Sequence, residues 1–161
     1  MIKTEAIILK SADSNEVDRI LTIYSEKLGK INISAKGVKR LESKLRYSIE
    51  AITYVQMILV EGKNFLILKD AVLIDQFLNI KKDLEKIKIA QKLMDLIDEA
   101  IVGEERDENI WKLVLQIFKE LNVGRTTSHI TTSNIIIEFE KKLIKLLGYD
   151  PEEMKEIENL Y

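Results

Sequence analysis

The stretch Lys30-Ile31-Asn32-Ile33-Ser34-Ala35-Lys36 alternates apolar and polar residues without a break. A strand repeats every two residues, so Ile31, Ile33 and Ala35 share one face, and Lys30, Asn32, Ser34 and Lys36 share the other. This is the pattern of a half-buried β-strand. Similar short runs rich in β-branched residues cover Thr4–Lys10, Asp18–Ser25, Tyr54–Glu61 and Phe65–Ile74. Turn residues separate them: Asp13-Ser14-Asn15, Leu28-Gly29-Lys30 and Glu61-Gly62-Lys63-Asn64. Five short strands in succession, with no helix long enough for a crossover, predict an antiparallel sheet. A sheet this small removes its sticky edges by closing. The expected fold class is α+β: an N-terminal five-stranded OB-fold β-barrel over residues 1–78, followed by an α-helical domain over residues 79–161. On the residues alone, a different small barrel is the minority alternative.

After residue 80 the period becomes helical. Leu84, Ile87, Ala90, Met94, Ile97 and Ile101 recur at three and four, with Gly103 as a stop. Asp107 caps a second predicted helix carrying Ile110, Trp111, Val114, Ile117, Phe118 and Leu121, ending at Gly124. Thr131, Thr132 or Ser133 caps a third, with Ile136, Phe139, Leu143, Leu146 and Leu147 inward and Gly148 at its end. Pro151 opens a short acidic tail helix over Glu152–Leu160. No repeat or long linker separates the halves, so the helices are expected to pack on the barrel.

Composition narrows the chemistry. The 161 residues are 46% apolar and 32% charged, which predicts a folded chain. There is no cysteine, so disulfides and thiolate zinc sites are excluded, and the single histidine, His129, cannot build a histidine-rich metal site. Ser128 and His129 are adjacent, lack an orienting acid and precede a helix cap, so no nucleophilic dyad is read there. The acids Glu104, Glu105, Asp107 and Glu108 read as solvated charge between helices. No phosphate-cradling glycine loop is present. No catalytic residue, cofactor, metal or small-molecule substrate is expected. No apolar run approaches the roughly 18–20 residues of a membrane span, and the N-terminus does not read as a signal peptide, so no membrane partner and a cytoplasmic location are expected.

Net charge is −2, so any polyanion contact needs a local patch. Residues 1–80 hold 12 Lys and Arg against 10 Asp and Glu, and residues 81–161 hold 13 against 17. The sharpest cluster is Lys36, Lys39, Arg40, Lys44 and Arg46, interrupted only by Glu42 and running from the end of the alternating strand into a loop with Gly37 and Ser43. Cations on a loop at a barrel mouth suit phosphates. Lys30 adds to it from the outward strand face, and Arg19 from the neighbouring strand. The same run also reads as a solvated loop. Tyr24, Tyr47, Tyr54 and Phe65 have the chemistry to stack on bases, Tyr47 beside Arg46 above all; each also reads as a core or turn residue. Trp111 and Phe118, seven apart on one helical face, read as core, or as part of a groove for an apolar peptide.

Several strings together resemble the RecO family of recombination and repair mediators. Met1 to Lys10 is similar to that family's opening strand, and Glu16 to Ser25 to its second. Gly29-Lys30 followed by Ala35-Lys36-Gly37-Val38-Lys39-Arg40 is similar to its third strand and basic loop. Phe139 through Leu146-Leu147-Gly148-Tyr149-Asp150-Pro151 resembles the helix that precedes its zinc region. The resemblance implies an OB-fold with a helical domain. It implies a non-catalytic role: binding single- and double-stranded DNA, annealing strands and, with RecR, helping to load RecA onto DNA coated by single-stranded-DNA-binding protein (SSB), in the bacterial cytoplasm at the nucleoid. It makes Arg19, Lys30, Lys36, Lys39, Arg40, Lys44 and Arg46 the expected DNA contacts, and puts SSB contact on the helical domain. Many family members continue into a four-cysteine zinc module, which has no counterpart here, so zinc is not expected. The competing reading is a protein-interaction adaptor that has lost direct DNA binding.

Overall fold

Strand β1 (Ile2–Asp13) has twelve residues, and it is long because it serves two neighbours. Its first half pairs with β4 (Thr53–Val60) and most of its length with β2 (Arg19–Ser25). A register shift between Ile8 and Lys10 bends it from one partner to the other. With β3 (Gly29–Ala35) and β5 (Leu66–Asp75) the strands close into a barrel in the order β1-β2-β3-β5-β4, the closed five-stranded form of an OB-fold. This computed structural model describes residues 1–39, 45, 48–124 and 132–149, with backbone only at 132 and 133.

One expectation about the sheet needs correcting. Four of the five junctions are antiparallel, and β3 pairs with β5 in parallel through Ile33–Leu66 and Ser34–Ile67. The reason is parity. Five strands in a ring cannot alternate direction all the way round, so one junction must be parallel. It is also the shortest ladder.

The alternation in each strand separates two apolar clusters. Ala6, Ile8, Leu21, Ile23, Ile31, Ile33, Val55 and Met57 point into the barrel. Ile7, Leu9, Tyr24 and Tyr54 point outward, where they join the buried faces of the helices. The helices are α1 (Leu78–Lys81), α2 (Leu84–Ala100), α3 (Glu108–Val123) and α4 (Thr132–Leu146). One apolar cluster therefore spans both halves. Tyr24 and Tyr54 each lie against Trp111, at centroid distances of 6.1 and 6.2 Å, and Phe118 stacks on Phe77 at 6.0 Å.

The predicted cap at Asp107 forms, and Asp83, which the sequence reading leaves unassigned, caps α2 in the same way. Asp83 accepts from the amides of Glu85 and Lys86, and Asp107 from those of Asn109 and Ile110. Two details differ from expectation. Leu84 and Leu146 are exposed: on α2 Ile89 and Leu93 join the inward face in place of Leu84, and on α4 Phe139 and Leu143 fill it as expected without Leu146. The single-turn helix α1 has no periodic signal in the sequence. It forms because Phe77, fully buried at φ 50°, turns the chain, and because Asn122 of α3 accepts from the Asn79 and Ile80 amides. The capping choice at Thr131, Thr132 or Ser133, the Ser128–His129 pair and the tail helix after Asp150 lie outside the described residues or side chains.

Candidate nucleic-acid interface

The rim of the barrel where β1 turns into β2 and where β3 ends brings several of the expected DNA-binding residues together. The 14–18 turn is built by two side chains. Asn15 Oδ1 accepts from the Val17 and Asp18 amides, both at 2.9 Å, while Asn15 Nδ2 donates to Asp18 Oδ2 at 2.8 Å. The turn is then stitched to the segment after β3. Gly37, in the left-handed region at φ 68°, donates its amide to Asp18 Oδ1 at 2.6 Å, and the Lys39 amide donates to the Val17 carbonyl at 3.0 Å.

Lys39 and Arg19 meet on this rim. Lys39 Nζ lies 3.2 Å from Asp13 Oδ2 and donates to the Asn15 carbonyl. Arg19 donates from its guanidinium to Ser11 Oγ at 3.1 Å, and its Nε lies 3.4 Å from Asp13 Oδ1 without hydrogen-bond alignment. Arg19 sits opposite Ala35, on the inward parity of β2 with Leu21 and Ile23. It thus reaches the rim from the barrel mouth rather than from the outward face that carries Lys30. Lys36 is exposed. Arg40, Lys44, Arg46 and Tyr47 lie outside the described residues, in the segment that continues from Lys39.

Lys30 stands elsewhere. At the other end of β3 its Nζ donates to the Asp98 carbonyl at 2.5 Å and lies 3.4 Å from Asp98 Oδ1, leaving the side chain 17% exposed. Lys10 donates to Asp98 Oδ2 at 2.7 Å. The Lys10 hydrogen bond holds the Asp98 carboxyl below its ordinary range, and the same bond holds the Lys10 ammonium above its own. Sequence alternation puts Lys30 on the outward face, which is right. It carries no sign that α2 covers that part of the face.

The aromatics divide as well. Tyr24 and Tyr54 are buried against Trp111, and burial raises both phenols far above the ordinary range. Tyr54 also donates to Glu5. Neither presents a free ring. Phe65 is exposed, in the β4–β5 turn beside a 460 Å³ cleft that also includes Asn32 and Lys63. Trp111 and Phe118 are core residues. A separate groove of about 920 Å³ runs between α2, α3 and α4, lined by Ile89, Leu113, Ile117, Leu121, Ile135 and Phe139 among others. Among the described residues no three or more His, Cys, Asp or Glu side chains are grouped to hold a metal ion, and no helix is long and apolar enough to cross a membrane.

Comparison with known proteins gives a consistent picture. Residues 1–77 match the family model described as Recombination protein O N terminal. Relatives described as DNA repair protein RecO match along most of the chain. The Clostridium perfringens protein is 34% identical over 92% of this chain, that of Caldanaerobacter subterraneus 31% over 93%, and that of Acetivibrio thermocellus 29% over 93%. The chain spans 58–59% of the length of these relatives.

Proposed function

The chain belongs to the RecO family of DNA repair proteins, and from that premise we propose that it is a non-catalytic mediator that binds DNA along the β1–β2 and β3 rim of its barrel. Residues 1–78 serve as the DNA-binding domain and residues 79–161 as the helical domain. The mediator binds single- and double-stranded DNA, promotes annealing of complementary strands and, with RecR, helps to load RecA onto SSB-coated DNA, in the cytoplasm at the nucleoid.

The observation that carries this reading is the convergence of Arg19, Lys36 and Lys39 on one rim, at the point where the chain enters the segment with Arg40, Lys44 and Arg46. Phosphate contacts give affinity without sequence information. Buried Tyr24 and Tyr54 leave few rings for stacking, which favours a backbone-electrostatic mode. The test is a labelled-oligonucleotide titration at low and moderate salt. Binding should fall steeply with salt and differ little between sequences. Replacing Lys36, Lys39, Arg40, Lys44 and Arg46 with alanine should weaken it for all sequences. The salt slope should flatten by roughly 0.7 for each single-strand phosphate that is no longer neutralised. No binding at low salt sinks the proposal.

One set of observations favours the adaptor reading instead. Asp13 sits between Lys39 and Arg19, and the helical half offers an apolar groove. Capture of RecR or SSB by a chain that binds no oligonucleotide would decide for the adaptor.

A further inference from the structure

The last turn of α2 is built against its own dipole. A helix C-terminus carries partial negative charge and favours cations, yet this turn reads Ile97-Asp98-Glu99-Ala100 and has no base. Between Asp95 and Glu105 there are five acids and no Lys or Arg. The missing cations come from the barrel. Lys30 Nζ donates to the main-chain carbonyl of Asp98, one of the helix-end carbonyls without an intrahelical partner, and approaches its carboxylate. Lys10 takes the other carboxylate oxygen at 2.7 Å. Asp95 and Glu99 add field at Lys10. Just beyond, Gly29 packs so closely on the Glu104–Glu105 backbone that a side chain there would overlap the Glu105 carbonyl.

Two ammonium groups on the outward face of the sheet therefore surround one carboxylate and one carbonyl oxygen, a set of acceptors much like that of a phosphodiester. Lys10 lies opposite Thr22, and Thr22 opposite Asn32, so the pair borders the uncovered part of the face, where the Thr22 hydroxyl donates to Asn32. We propose that Lys10 and Lys30 form a second surface for nucleic-acid phosphates on this barrel, kept closed by the anionic end of α2, with Asp98 standing where a phosphate would bind. The device is an autoinhibitory contact. Polyanion competes with Asp98 for the same two lysines, so the barrel binds DNA more weakly than its cations alone would allow. The inference rests on the DNA-binding reading above.

The test compares the full chain with Asp98→Asn in oligonucleotide titrations across salt. The variant should bind several-fold more tightly at low salt, with a salt slope steeper by about 1.4 for two further single-strand phosphates neutralised. Asp98→Ala, which favours the helix, replaces it if the first variant loses its melting transition. Adding Lys10→Ala and Lys30→Ala to either variant should abolish the gain. If the wild type binds and Asp98→Asn binds no better, the masking idea is wrong and the rim proposal stands. If the gain survives removal of both lysines, it reflects overall charge, and the masking idea is wrong again. If neither protein binds at low salt, both proposals fall.

Discussion

The two ends of strand β3 carry similar cations and live in different surroundings. At one end Gly29 and Lys30 are pressed under the helical half. Gly29 meets the α2–α3 connection, Lys30 grips Asp98, and Tyr24, the neighbour of Lys30 across the β2–β3 ladder, stacks on Trp111. At the other end Lys36 is exposed, and Lys39 and Arg19 are held by residues of the barrel itself. The first end positions two halves of a protein, and the second is the rim that we propose takes DNA. A cation's place in an alternating strand fixes its face but not its availability. Availability depends on what the rest of the chain lays over that face.

The largest way to break this contrast is to remove the ring that anchors the covered end. Trp111→Ala should destabilise the chain by about 3–5 kcal/mol, because it leaves a cavity beside Tyr24 and Tyr54. Denaturant unfolding measures this, and a destabilisation below about 1 kcal/mol would mean that the barrel and helices do not share a core. Gly29→Ala comes next. Its φ of +71° costs a β-carbon about 1–2 kcal/mol, and the overlap with the Glu105 carbonyl adds to that. A variant as stable as the wild type would show that the α2–α3 connection yields freely. At the open end Asp13→Ala should cost under about 1 kcal/mol, since its ion pairs with Arg19 and Lys39 are partly solvated. By freeing both cations it should also tighten oligonucleotide binding.

The smallest effect is one of pH. The Asp98 carboxyl is held below its ordinary 3.8, first by the Lys10 hydrogen bond. A lowered carboxyl contributes stability that is present above its unfolded value and is lost as pH falls through the folded one. The wild-type advantage over Asp98→Asn should therefore persist at neutral pH and shrink as pH drops below about 4. An advantage independent of pH would show that the carboxylate's charge does not hold the clasp.

Much of this is legible in the chain itself. The alternation from Lys30 to Lys36 is a local property, since successive side chains of any strand point to opposite faces. The cap at Asp107 and the face containing Trp111 and Phe118 follow from equally local chemistry. The rim is half legible. Lys36 and Lys39 are evident from their spacing, whereas the inward parity of Arg19 depends on its register with Ala35. Lys10 as a companion of Lys30 gives no signal, because the residue joining them, Asp98, lies 88 positions from one and 68 from the other.

What the sequence determined by itself was which residues form the five strands and the three long helices, where most of their apolar faces lie and which side of β3 bears the cations, because periods of two and 3.6 are set by backbone geometry. What only the tertiary structure decided was the single parallel junction, imposed by closing an odd ring, and the division of the lysines into clasp and open rim, imposed by where α2 comes to rest. Those outcomes depend on residues far apart in the chain, and no local pattern encodes them.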